Sequence, residues 1–175
     1  MTPEKQNETS SPTISDLSNP TCVITTTNLE NGVPSFDSSF DESLGVIQGL
    51  GGALFRLAYA SDQAPQVLNG SDLDTYGDHP KNVPHLVTPG GGANVWYIDT
   101  PLGAESPLHR TVSLDFVIVV EGELQLILDS GEMRVLKPGD LVIQRGTTRQ
   151  WKNVSKDKWP IASNDGTKLG VSGLG

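Results

Sequence analysis

Apolar residues along this 175-residue chain come in short bursts divided by turn-forming residues, and no stretch keeps the spacing of a long amphipathic helix. Residues 116–120 (FVIVV) are an unbroken apolar run, and 123–128 (ELQLIL) alternates less cleanly after it. Glu121-Gly122 between them predicts a tight hairpin turn, since glycine takes a positive φ at little cost. Asp129-Ser130-Gly131-Glu132 predicts a second hairpin leading into a strand over 133–136. Lys137-Pro138-Gly139-Asp140 puts proline and glycine at the two central places of a type II turn, with a further strand over 141–144.

Upstream the pattern is looser. Residues 22–27 (CVITTT) are β-branched and bounded by Pro20 and Asn31-Gly32, which suits a short strand and a turn, and 33–44 read as polar loop. Residues 54–59 (LFRLAY) predict a strand in which Arg56 shares a face with Leu54 and Ala58, and 94–99 (NVWYID) predict another. Between them, 61–92 form a long irregular excursion that holds His79 and His85. Many short strands with frequent turn signals predict an all-β antiparallel sandwich or barrel, with no helix beyond a turn or two.

The ends differ from the middle. Residues 1–20 are rich in Ser, Thr, Pro and Asn and predict a disordered leader. The barrel is then assigned to 21–160, and 161–175, which show no apolar alternation, to an irregular C-terminal tail. That leaves one barrel edge open, or closed by the leader or a second copy of the chain, and a homodimer is the expectation.

Composition narrows the function classes. Twelve Lys and Arg stand against twenty-one Asp and Glu, a formal charge of −9, so the basic patch that nucleic-acid binding needs is not expected. No apolar stretch reaches the ~18 residues of a membrane span, and the first twenty residues lack a signal-peptide core. A cytoplasmic protein without membrane or nucleic-acid partners is the default expectation. Cys22 is the single cysteine, so no intrachain disulfide is possible. Gly90-Gly91-Gly92 is not a phosphate loop, because no Lys-Ser/Thr follows it.

Candidate chemistry concentrates in two blocks. Residues 103–115 (GAESPLHRTVSLD) carry His109, Thr111 and Asp115; the second block runs from Pro138-Gly139-Asp140 through Gly146 to Arg149 and Asn153. These blocks resemble the cupin signature, with His109 in the first His place, Thr111 in the second, Asp115 in the acid place and Arg149 in the last His place. Together with VVEGE (119–123), LKPGD (136–140), QRGT (144–147) and WKN (151–153), they make the chain similar, over about 23–159, to small single-domain cupins of microbial and fungal genomes. The resemblance implies a cupin double-stranded β-helix (jelly-roll) barrel, frequent dimers and a ligand pocket in the barrel mouth. Two departures stand out: Arg149 replaces a His, and the strand that usually follows the second block is not visible after Trp159.

A divalent first-row metal needs three or more imidazole or carboxylate ligands, and here His109 and Asp115 supply two. Arg149 has no lone pair to offer, and its charge opposes a cation by about 4 kcal/mol per charge pair at about 4 Å and ε ≈ 20. No metal and no other cofactor is therefore expected; if a metal binds, His109 and Asp115 are its ligands, helped only by a His79–His85 loop that folds in. Without metal, His109 is the expected acid/base, Arg149 an anion clamp, Asp115 an orienting acid for His109 or a partner of Arg149, and Thr111 an auxiliary hydrogen bonder. Trp151 shares a strand face with Arg149, and Trp151, Trp96, Tyr97, Gln144 and Arg56 are the expected substrate-binding residues. The sequence thus points to metal-independent acid/base catalysis (dehydration, isomerisation or cyclisation) on a small oxygenated, polyketide-like or aromatic metabolite. The alternatives are a metal-dependent oxygenase or decarboxylase and a non-catalytic small-molecule-binding barrel.

Overall fold

The computed structural model describes residues 17–79, 82–84 and 91–156, and residues 161–168 as backbone. In chain order the elements are β1 (Thr25–Thr27), β2 (Pro34–Phe36), β3 (Gln48–Leu50), β4 (Ala53–Ala60), α1 (Ser71–Asp78), β5 (Gly92–Asp99), β6 (His109–Arg110), β7 (Leu114–Val119), β8 (Leu124–Leu128), β9 (Met133–Leu136), β10 (Leu141–Arg145), β11 (Thr148–Asn153) and β12 (Ile161–Lys168). The fold is the all-β antiparallel barrel that the strand and turn pattern predicts, in the two-sheet form that the cupin resemblance implies. Among the described residues no helix is long and apolar enough to cross a membrane.

Two antiparallel sheets enclose the interior. One has the order β10-β7-β12-β5-β4-β3, the other β6-β11-β8-β9, and β1-β2 is a separate hairpin. Inward residues of the two sheets meet in a cluster of Val117, Val119 and Leu124 with Leu136, Val142 and Trp151 packed against it. A second cluster of Phe55, Leu57, Ala60, Tyr76 and Trp96 extends the core under α1. Tyr76 of α1 stacks beside Phe40 and Tyr59 at centroid distances of 5.0 and 5.5 Å, and Tyr59 donates to Asp72 at 2.9 Å.

Several expectations are corrected. The turn at Glu121-Gly122 is not a hairpin: β7 pairs with β10 and β12, whereas β8 pairs with β9 and β11, so Gly122 (φ 77) turns a corner between sheets. A local signal specifies that the chain reverses, not which sheet it joins. The second turn is a hairpin, closed by Leu128 N–H donating to Glu132 O at 2.9 Å. The turn at Lys137–Asp140 has Gly139 at φ 90 and Asp140 N–H donating to Lys137 O at 2.9 Å, as type II geometry requires, and it too carries the chain between sheets.

The tail differs most. Ile161–Lys168, read as irregular, is a strand at the middle of the larger sheet, hydrogen-bonded to β5 on one side and β7 on the other. Main-chain pairing needs no apolar alternation, so IASNDGTK can complete a ladder that its side-chain pattern does not announce. The edge invoked for a homodimer is therefore filled by the chain itself. Residues 33–44, read as loop, contain β2, and the excursion 61–92 contains α1. Of the leader, residues 1–16 lie outside the described residues. Asn19 accepts from Arg56 Nε at 3.3 Å and Pro20 O accepts from Leu44 N–H at 2.9 Å, so its end lies against the barrel.

Gly92 has a steric role: a Cβ there would meet Ser61 O at 2.3 Å, and its φ is 143. The close approach lets Ser61 N–H reach Ala93 O at 2.8 Å and joins the ends of β4 and β5.

Candidate functional site

A cavity of ≈ 460 Å³ opens between the two sheets, walled by Phe55 of β4, Ile98 of β5, Asp115 and Val117 of β7, Leu124 of β8, Arg149 and Trp151 of β11, and by His109, Thr111 and Ser113. Strand alternation explains who is there. On β7, Asp115, Val117 and Val119 point inward while Ile118 is exposed; on β11, Arg149, Trp151 and Asn153 share the inner face.

The polar end is a closed set of three side chains. Arg149 donates from one terminal nitrogen to Thr111 Oγ1 at 3.0 Å and from the other to Asp115 Oδ2 at 3.2 Å. Thr111 Oγ1 donates to the same Asp115 oxygen at 3.2 Å. Both members of the ion pair are buried, with side chains 5% and 4% exposed. Burial pushes the Arg149 pKa down from its ordinary value, and the Asp115 carboxylate opposes that shift. Arg149 Nε and Ser113 Oγ are buried without a hydrogen-bond partner.

His109 stands across from Arg149: the two are paired positions on β6 and β11. Its Nδ1 lies 2.8 Å from Pro107 O. A carbonyl oxygen can only accept, so Nδ1 carries the proton and Nε2 keeps the lone pair in the neutral ring. Pro107 is held in turn because residues 104–107 are strapped to β11. Ser106 N–H donates to Trp151 O at 2.8 Å, Trp151 N–H to Ser106 Oγ at 3.0 Å, Gln150 Nε2 to Ser106 O at 2.8 Å, and Asn153 N–H to Ala104 O at 2.9 Å.

The structure thus brings His109, Thr111, Asp115, Arg149 and Trp151 to one cavity. Asp115 does not orient His109; its carboxylate is taken by Arg149 and Thr111, and Pro107 O has the orienting position. Four expected substrate contacts are not among the cavity's lining residues. Arg56 pairs with Tyr97 across β4 and β5, on the face opposite Phe55 and Ile98, and is buried in an ion pair with Asp99. Trp96 is on the inner face but fully buried beneath Phe55, edge-on at 6.1 Å. Gln144 is buried on β10 and reaches Thr147 Oγ1 at 3.5 Å. A one-position difference on a strand reverses the face, and depth along a face is not written in alternation.

Ser113 was missed, though 111, 113 and 115 share one alternation and Ser113 could have been read from it. Phe55, Ile98 and Leu124 were missed because nothing local marks an apolar strand residue as wall rather than core.

The donor set does not fit a first-row divalent ion. Asp115 Oδ2 is held by Arg149 and Thr111, Glu105 pairs with Lys152, and among the described residues lining the cavity His109 is the one imidazole. Among the described residues no three His, Cys, Asp or Glu side chains cluster as metal ligands. His79 caps α1 and does not line the cavity; His85 lies outside the described residues.

Comparison with known proteins places the chain among fungal relatives. It is 42% identical over 138 residues to "Oryzines biosynthesis cluster protein J" of Aspergillus oryzae, covering 78% of this chain and 76% of that one. It is 38% identical over 158 residues to "Phomopsin biosynthesis cluster protein D" of Diaporthe leptostromiformis, covering 83% and 82%. It is also 41% identical over 103 residues to "Cupin-domain-containing oxidoreductase fogC" of Aspergillus ruber, covering 59% of this chain and 49% of that relative. No family model matches the sequence.

Proposed function

The chain belongs to the cupin family, and we propose that it is an enzyme of fungal secondary metabolism that works by acid/base catalysis without a metal, dehydrating, isomerising or cyclising a small oxygenated metabolite. The observation that carries this reading is His109: its Nδ1–H is committed to Pro107 O, and its basic Nε2 belongs to a residue that lines the cavity opposite Arg149.

Dehydration of a β-hydroxy carbonyl compound illustrates the chemistry. Nε2 of His109 takes the proton on the carbon next to the carbonyl, and the electron pair moves onto the carbonyl oxygen as an enolate. N–H groups of Arg149 not used by Thr111 and Asp115 hold that oxygen as its charge develops. The enolate then collapses, a C=C bond forms, the β C–O bond breaks, and the His109 proton leaves with the departing hydroxyl as water. Isomerisation and cyclisation begin with the same proton transfer and end on a different atom.

The Aspergillus ruber relative is named an oxidoreductase, and this chain spans about half its length. A metal-dependent oxidation would need ligands beyond His109 and Asp115, and Asp115 is already engaged by Arg149, which favours the acid/base reading.

Incubation in deuterium oxide with a panel of aryl and alkyl β-hydroxy ketones tests the proposal, with proton exchange and water loss followed by nuclear magnetic resonance. Exchange above the buffer blank, unaffected by chelator and reduced about 10²–10⁴-fold in His109→Gln, is expected for a general base. No exchange with any member, or equal exchange in the variant, would overturn it.

A further inference from the structure

Resting on that acid/base reading, we infer that the cavity takes an uncharged ligand with an apolar body and a carbonyl oxygen, and that Asp115 is the residue that excludes carboxylates. Two counts carry the inference, one of charge and one of hydrogen-bond donors.

Among the described residues that line the cavity, one buried cation, Arg149, and one buried anion, Asp115, are in contact with each other. The other carboxylate in the wall, Glu105, is 53% exposed at its side chain and pairs outward with Lys152 at 3.3 Å. Among the described residues no second Lys or Arg lines the cavity. An entering carboxylate would leave two buried anions sharing the single positive charge of Arg149, and uncompensated buried charge is strongly disfavoured.

Donors, by contrast, are in surplus. A guanidinium has five N–H groups, and the two bonds to Thr111 and Asp115 leave Nε and further terminal N–H groups unspent. Ser113 Oγ is a further buried hydroxyl without a partner. A neutral carbonyl oxygen can accept from such groups without disturbing the ion pair. Most of the remaining wall, Phe55, Ile98, Val117, Leu124 and Trp151 among it, is apolar and offers a charged or hydroxyl-rich body little to replace its water. The same pairing suits turnover, because a neutral substrate meets Arg149 most strongly once enolate charge appears.

Binding of matched probes to the full chain tests this: acetophenone against benzoate and 2-octanone against octanoate, by isothermal titration near neutral pH. Each ketone is expected to bind about tenfold or more tighter than its carboxylate, a gap of about 1.4 kcal/mol. In Asp115→Asn, with Arg149 uncompensated, the carboxylates are expected to gain by about tenfold while the ketones hold to within a few-fold. The double variant Asp115→Asn, Arg149→Gln, which removes both charges, should keep the wild-type ranking and covers the case in which the single variant does not fold.

Carboxylates binding wild type as well as ketones, failure of both ketones to bind at millimolar concentration, or no gain in a folded Asp115→Asn would each overturn the inference. Ranking is read without turnover. A held ranking with no deuterium exchange removes only the acid/base reading, and a lost ranking with exchange intact removes only the neutral-ligand inference.

Discussion

His109 and Arg149 are opposed positions across the β6–β11 pair, and they are held by different means: Arg149 by the side chains of Thr111 and Asp115, His109 by the backbone of Pro107. One is a buried cation with its charge balanced; the other is a half-buried ring with one nitrogen committed.

Breaking the buried pair singly is expected to be costly. Arg149→Met or Asp115→Leu alone should destabilise the fold by about 3–5 kcal/mol, because each leaves an uncompensated charge in the core. The double replacement should recover most of that loss, to within about 1–2 kcal/mol of wild type. Urea denaturation of the four proteins as a double-mutant cycle checks it, and additive losses would contradict the pairing.

Metal content should be far below one equivalent in protein purified without added metal, and chelator should leave the melting temperature unchanged. Inductively coupled plasma mass spectrometry reads the first and thermal unfolding the second. One equivalent of iron, manganese, nickel or zinc would mean that Asp115 leaves Arg149 to bind it.

Stability should fall at high pH through Tyr59. Burial, the hydrogen bond to Asp72 and the charge of that carboxylate push its pKa from 10.0 up to about 12. A folded-state pKa above the unfolded one gives stability that is complete below pH about 10 and is lost as pH rises through about 12. Tyr59→Phe should flatten stability over that window, read by denaturation at a series of pH values; an unchanged slope would refute the assignment.

Ending the chain after residue 160 should abolish cooperative folding. Without β12 the larger sheet loses the strand between β5 and β7, and two sets of backbone groups are stripped of partners at once. Circular dichroism and limited proteolysis would show this, and a cooperative melt for the truncated chain would speak against the central position of β12.

Gly92→Ala should destabilise the barrel by about 1–3 kcal/mol or more, since the residue combines a positive φ with a clash against Ser61 O. A melting temperature equal to wild type would show that the β4–β5 junction yields more easily than its geometry suggests.

Much of this protein was legible in its sequence because local physics repeats along a strand. Glycine and proline at 138–139 and glycine at 131 specify turns by their allowed dihedrals, and the two motif blocks carry His109, Thr111, Asp115 and Arg149 whatever the chain does elsewhere. Alternation alone put Trp151 on the face of Arg149. Only the tertiary structure decided that Gly122 turns between sheets, that IASNDGTK fills the middle of one, and that Arg56 and Tyr97 face away from the cavity while Phe55 and Ile98 face into it. It also decided that Asp115 serves Arg149 and that a backbone carbonyl serves His109. Those outcomes depend on partners 34 or more residues away for Arg149 and on main-chain groups that every sequence possesses, so no local pattern distinguishes them.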